Sequence, residues 1–318
     1  MSHRATIAPV SRGPRPTWSV MIPTYNCARY LDKALSSVLA QDPGPASMQI
    51  EVVDDASEDD PESVVRQVGG DRVGFFRHPS NVGHIRNFTT CIERARGHYV
   101  HLLHGDDFVH NGFYDALRAG FESDPAVGGA CSRWRLVDEA GAQVSVVEPR
   151  QPRPGLVSDA LEWLASEQQL VTPSIAVRRS AYERLGSFDE RLRCAEDWEM
   201  WVRIAAAYKV WYDPRILASY RTHANSNTGR HHRDATELRY TAMAIELFRP
   251  YLPSDRSKQI VRRARRTYAR TALGHARSFA LAGDGRAARA HLGVALRLSR
   301  SPRVLAEVAR VLPTVVAG

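Results

Sequence analysis

Three pairs of adjacent acids, Asp54-Asp55, Asp106-Asp107 and Glu196-Asp197, are the residues of this 318-residue chain best suited to chemistry. Asp106 and Asp107 follow Tyr99-Val100-His101-Leu102-Leu103-His104-Gly105, an apolar, β-prone run that predicts a buried strand. Such a strand delivers both carboxylates to its carboxyl end, where ligands of open α/β sheets sit, and two acids there suit a hard divalent cation. The same two residues also suit a turn and a cap for the helix predicted over Phe113 to Glu122. Asp54-Asp55 ends the strand-like Ile50-Glu51-Val52-Val53 in the same way. Glu196-Asp197 instead opens the helical stretch that runs on to Ile204, where acids in the first turn are favourable to the helix dipole on structural grounds alone.

The elements that must position these acids follow from periodicity. Trp18 to Ile22 reads as a first strand stopped by Pro23, with Thr24-Tyr25-Asn26 as the loop and a helix over Ala28 to Ala40. Helices over Pro61 to Val68 and Asn87 to Ala95 alternate with a strand over Val73 to Phe76, which predicts an α/β fold with a mostly parallel sheet. The first turn holds no G-x-G-x-x-G, which disfavours a dinucleotide oxidoreductase. Beyond Gly155 the pattern loosens: helices over Leu156 to Ser166 and Ser180 to Leu185, strands over Ser174 to Val177 and Val210 to Tyr212, then a polar loop from Tyr220 to Asn227. Arg133 to Thr172 carries no readable code. From Ala235 the chain is helical, and Gly283-Asp284-Gly285 splits Ala272 to Leu298 into a helical hairpin.

Composition narrows the classes. The hydrophobic fraction is 43%, and no segment reaches the roughly eighteen unbroken apolar residues of a membrane span. Residues 1–16 lack an apolar signal core and predict a flexible tail on a cytoplasmic protein. Cys27, Cys91, Cys131 and Cys194 form no C-x-x-C pair and read as reduced and packed. Of the net charge of +8, residues 251–318 carry +11, from 14 Arg and Lys against 3 Asp and Glu. A basic end of this kind suits anionic lipid, an acidic substrate or nucleic acid.

Taken in order, Val20-Met21-Ile22-Pro23-Thr24-Tyr25-Asn26, Asp54-Asp55-Ala56-Ser57, Asn81-Val82-Gly83 with Arg86-Asn87, Asp106-Asp107, Glu196-Asp197 and Tyr220-Arg221-Thr222-His223 resemble family 2 of the inverting, nucleotide-sugar-dependent glycosyltransferases. The resemblance covers Ser19 to Ser226 and implies a GT-A fold, here residues 17–232, followed by a helical region, 233–318. It implies that Asp55 accepts from the N–H edge of uracil or thymine, with Pro23 and Tyr25 walling the base pocket. Arg86 is then a counter-charge for diphosphate, or a surface ion pair. By the same resemblance Asp106 contacts the ribose or the metal's water shell, while Asp107 and His223 bind Mn2+ or Mg2+; His104 stands where an Asp often sits and reads as a spacer. Asp197 is the implied base, with Glu196 orienting the acceptor or favouring the helix start.

The implied partners are a nucleotide-sugar donor and a glycan, lipid-linked or small-molecule acceptor, in cell-surface glycan biosynthesis. The tail admits peripheral attachment to an anionic membrane or a homo-oligomer. A nucleic-acid partner is not expected, since Arg262-Arg263-Ala264-Arg265-Arg266 matches no nucleic-acid motif. The competing class is a catalytically silent scaffold or glycan-binding protein of the same fold.

Overall fold

Alternating strands and helices build the first third of the chain as a parallel sheet, in a computed structural model that describes residues 3–10, 13–223 and 232–317. Strands β1 (Trp18–Thr24), β2 (Met48–Asp54), β3 (Gly74–Arg77) and β4 (Tyr99–Leu102) are joined by α1 (Ala28–Leu39), α2 (Pro61–Gly69) and α3 (His84–Arg94). They lie in the order β3-β2-β1-β4, all parallel. Every residue of β1 and β4 is buried, as central parallel strands require. β1 runs past its expected end at Ile22, pairing Pro23 with Val53 and Thr24 with Asp54. Proline is tolerated because it costs a single donor on the side of β4, which has already ended; its carbonyl still accepts from the Gly105 N–H at 3.1 Å.

The other half of the sheet is mixed rather than parallel. After β5 (Phe108–Val109) and α4 (Phe113–Ser123) come β6 (Val127–Val137), β7 (Gln143–Val146), β8 (Gly155–Leu156), α5 (Ala160–Ser166), β9 (Ile175–Arg178), α6 (Arg179–Leu185), α7 (Glu196–Ala207) and β10 (Lys209–Arg221). The order continues β4-β9-β6-β10-β5, with β9 antiparallel to both neighbours and β10 parallel to β6. β6 crosses the stretch expected to be irregular. β10 spans 13 residues, where only Val210 to Tyr212 read as strand. Asp213-Pro214 looks like a breaker, but the β6 pairing shifts register between Asp213 and Ile216, and Asp213 accepts from the Arg215 N–H at 2.9 Å. Tyr220 and Arg221 are therefore strand residues, while Ala224 to Asn227 of the expected loop lie outside the described residues.

Two compact units emerge, Met1–Ala160 with Leu170–Arg191 and Arg203–Thr222, and Leu161–Gln169 with Leu192–Val202 and His223–Gly318. The division is interleaved, unlike a single cut after residue 232. In the first unit the N-terminal residues, expected as a flexible tail, are tied down. Ile7 is buried, the Ser187 N–H donates to Ala5 O at 2.9 Å, and Arg4 pairs with Asp189 at 3.2 Å. His101 is a satisfied core histidine: Nε2–H donates to Pro173 O at 3.1 Å, leaving Nδ1 to accept from the Tyr114 hydroxyl at 3.2 Å. All four cysteines are free and buried.

The second unit owes its interleaving to one aromatic anchor. Trp198, in the first turn of α7, is fully buried with its ring 5.0 Å from Phe248 and 5.1 Å from Tyr268. Those partners lie on α8 (Thr236–Phe248) and α9 (Ser257–Leu281); α10 (Gly285–Leu298) and α11 (Pro302–Ala317) complete the unit. The α9 and α10 helices form the expected hairpin around Gly283, and Asp284 caps α10 by accepting from the Ala287 N–H at 3.1 Å. Small residues line their core, Ala269, Ala272, Ala276, Ala288 and Ala295 among them.

Candidate functional site

The Asp106-Asp107 turn is pressed against the end of β1. A Cβ on Gly105 would stand 2.8 Å from Thr24 Oγ1 and 2.9 Å from Cys27 Sγ, so any larger residue would push the turn away. Asp107 is fully buried. Its Oδ1 accepts from the Arg221 N–H at 2.8 Å, and the Arg221 Nε–H donates to the Asp106 carbonyl at 2.8 Å. The Arg221 guanidinium also donates to Glu139 O at 2.7 Å and lies 4.7 Å from the Tyr30 ring centre, so the last residue of β10 locks the acid turn in place.

Among the described residues Asp107 Oδ2 is buried without a hydrogen bond, with His104 Nδ1 3.5 Å away, within ion-pair distance. Burial pushes the Asp107 carboxyl up to about 6; the charge of Asp106 adds to this, and His104 and the Arg221 N–H oppose it. Ligand atoms of His104, Asp106 and Asp107 lie within 4.8 Å of one another. Two carboxylates, one imidazole and an unsatisfied buried oxygen fit Mn2+ or Mg2+ better than a softer metal. His104, a spacer on sequence grounds, thus joins the acids; its ring stacks on Phe88 at 5.1 Å. A single histidine without its fold carries no signal of this. His223 stands two residues beyond Arg221, at the start of the second unit.

The other acid pair shapes the neighbouring loops. Asp54 accepts from the backbone N–H and hydroxyl of Ser57 and pairs with Arg77 at 3.2 Å, a structural role. Asp55 is also buried, and its two oxygens accept from the Val82 N–H at 2.7 Å and the Gly83 N–H at 3.0 Å. These bonds hold the 81–83 loop at the start of α3, and each oxygen retains a further lone pair. Desolvation nonetheless leaves the Asp55 carboxyl somewhat above its ordinary value. Tyr25 is 40% exposed beside Asn26, whose left-handed turn is fixed by its N–H donating to Ser57 Oγ at 2.9 Å. Arg86, in the first turn of α3, is exposed and pairs with the exposed Glu190 at 3.4 Å, which as it stands contributes little.

In the second unit, Glu196 and Asp197 open α7 as expected, with Glu196 8% exposed. Asp197 is held by Gln168, whose Nε2 donates to both carboxylate oxygens at 3.1 and 3.0 Å, and by the Trp198 N–H at 2.7 Å. Gln168 is itself placed by its backbone N–H donating to the Tyr268 hydroxyl at 3.0 Å. Gln168 belongs to no motif, and only tertiary contact brings it to Asp197.

The profile of glycosyl transferase family 2 matches residues 19–186, over half of the chain, and the protein belongs to that family. An uncharacterized protein of Mycobacterium tuberculosis is 29% identical over 68% of this chain and 70% of its own length. An uncharacterized glycosyltransferase of Rickettsia typhi is 26% identical over 67% of this chain and 66% of its own; a longer one from Rickettsia felis is matched over only 39% of its length. Among solved structures, S. aureus TarS 1-349 in complex with UDP-GlcNAc has a TM-score of 0.69 at 16% identity, over 92% of this chain and 83% of that one. The mannosyltransferase PcManGT from Pyrobaculum calidifontis, in complex with GDP-Man and Mn2+, has a TM-score of 0.56 at 21% identity, over 98% and 90%. The sheet and its flanking helices are those of the GT-A fold.

Proposed function

We propose that the protein is a cation-dependent, inverting glycosyltransferase that moves a hexosyl unit from a UDP- or dTDP-sugar to an acceptor hydroxyl. The observation that carries this reading is Asp107, a fully buried carboxylate with one oxygen unsatisfied beside His104 and Asp106. Mn2+ or Mg2+ held there supplies counter-charge for the leaving diphosphate. Pro23 and Tyr25 wall the base, and Asp55, while holding the 81–83 loop, offers its remaining lone pairs to the N–H edge of a pyrimidine. Arg86 turns from Glu190 towards phosphate. Asp197 takes the proton of the acceptor hydroxyl as that oxygen attacks the anomeric carbon opposite the diphosphate, and one displacement inverts the centre.

A thermal-shift screen of UDP-, dTDP- and GDP-sugars with and without Mn2+ tests the donor and the cation together. One donor is expected to raise the unfolding midpoint by about 2–5 °C with Mn2+ present and by less without it. If no donor moves the midpoint under either condition, the fold has been retained for something other than donor binding. Turnover of the stabilising donor then separates an enzyme from a silent glycan-binding protein.

The acceptor in this proposal belongs to cell-surface glycan or polysaccharide synthesis and is presented at an anionic membrane face. Support comes from α9, where Arg262 and Arg266 are exposed one turn apart and, among the described residues, make no ion pair. Arg263 and Arg265 are partly neutralised by Glu162 at 3.9 Å and Glu246 at 2.7 Å. No helix among the described residues is long and apolar enough to cross a membrane, and the attachment proposed is peripheral. The protein is expected to pellet with anionic vesicles at low salt and to be released as salt screens the attraction. If Arg262→Ala/Arg266→Ala pellets like the parent, the tail is not the contact.

A further inference from the structure

A second group of metal-ligating side chains lies in the second unit, with no part in the proposed transfer. His232 precedes α8, Glu237 is in the first turn of α8, His275 is on α9 and His291 on α10. One ligand atom from each lies within 4.8 Å of those of the other three. The imidazole rings meet edge to face, with centroids 4.4 Å apart for His232 and His275 and 5.1 Å for His275 and His291. Ring packing alone, here completed by Phe279, would explain those contacts. It does not explain the polar atoms. Glu237 Oε2, His275 Nδ1 and His291 Nδ1 are all buried, and among the described residues none has a hydrogen-bond partner. Glu237 is 9% exposed and His291 fully buried, so solvent does not satisfy these atoms.

The tautomer of His291 is also fixed by a neighbour. His291 Nε2 lies 2.8 Å from the His232 carbonyl, which can only accept, so Nε2 carries the proton and Nδ1 keeps its lone pair. His232 Nδ1 lies 3.1 Å from Glu237 Oε1. His291, which donates Nε2–H to a carbonyl and leaves Nδ1 bare, has the usual arrangement of a metal-bound histidine, whereas His232 Nδ1 and Glu237 Oε1 stand close enough to bind one ion side by side. Burial holds the histidines in the neutral form that ligation needs, with His275 pushed down to about 4, further lowered by its two histidine neighbours. Burial likewise pushes Glu237 up to about 7, a penalty that a cation at its unsatisfied oxygen would remove.

We propose that His232, Glu237, His275 and His291 form a structural Zn2+ site that clips α8, α9 and α10 together, separate from the Asp106-Asp107 turn. Three imidazoles and one carboxylate are a zinc donor set, and four protein ligands leave no open position for catalysis. Tetrahedral zinc holds its ligand atoms about 3.4 Å apart, a contraction that small rotamer changes supply. The ion joins positions up to 59 residues apart in sequence, which is where a clip restrains the unfolded chain most.

The test uses the full chain, stripped with chelator and then titrated. Zn2+ is expected to bind at about one ion per chain by elemental analysis and to raise the unfolding midpoint by about 5 °C or more. Co2+ in its place should give the intense visible bands of a tetrahedral ion. His275→Gln and Glu237→Gln should lose the bound ion, the bands and the midpoint rise, whereas Asp107→Asn should keep all three. A stripped parent protein whose midpoint ignores Zn2+ and whose Co2+ form lacks those bands overturns the site. Loss of the ion in Asp107→Asn with retention in Glu237→Gln overturns it equally, by assigning the metal to the acid turn. Should either cluster variant fail to fold, the parent and Asp107→Asn titrations still decide.

Discussion

Asp197→Asn is expected to keep the donor-induced rise in unfolding midpoint while losing turnover by about a hundredfold or more, the usual scale for removing a general base. The substitution keeps the shape of the side chain and an oxygen for the Trp198 N–H, which donates at 2.7 Å. Gln168, which now offers Nε2 to both carboxylate oxygens, can reverse its amide and accept from the new NH2 group. The fold around Trp198 therefore survives, and the proton acceptor does not. Steady-state turnover and thermal shift on the same preparation separate the two effects. Near-normal turnover would move the role to Glu196, one residue earlier in the same helical turn.

Asp107→Asn is the second large effect, and it acts on binding rather than on proton transfer. The amide oxygen still accepts from the Arg221 N–H, so the anchor of the acid turn persists, and the NH2 group faces His104 Nδ1, 3.5 Å from the present Oδ2. What disappears is the anionic oxygen. Removing a buried carboxylate that burial already disfavours is expected to leave the unfolding midpoint equal or higher. The enhancement of nucleoside-diphosphate binding by Mn2+ should fall at least tenfold to a hundredfold, measured by titration calorimetry at fixed metal. Unchanged enhancement would take Asp107 out of the site.

How far the sequence could foretell these sites depends on which information is local. Asp54-Asp55 and Asp106-Asp107 were legible because each closes an apolar strand, and a strand ending in acids is a pattern within ten residues. The parallel order β3-β2-β1-β4 was legible from strand-helix alternation. β6 was not, because Gly128 and Gly129 weaken its strand signal; at Gly128 a Cβ would fall 2.4 Å from the Tyr208 ring, so glycine there records a neighbour 80 residues away. β10 was hidden by Asp213-Pro214, whose bulge exists only once β6 is alongside. Gln168 and His104 escaped for the same reason. Their partners are set by tertiary contact, and neither residue type signals it alone.

The missing side chain at Gly105 bears on how this site can change over evolutionary time. Because the acid turn touches Thr24 and Cys27 with no room for a methyl group, the segment that would grip the base and the segment that would grip the cation move as one body. Enlarging Cys27 would displace Asp106 and Asp107 with it, so under the proposed function nucleotide choice and metal affinity are coupled through this contact. A lineage changing its donor is left with positions that face outward. Tyr25, 40% exposed, is one such position on this turn and can vary without disturbing the acid turn.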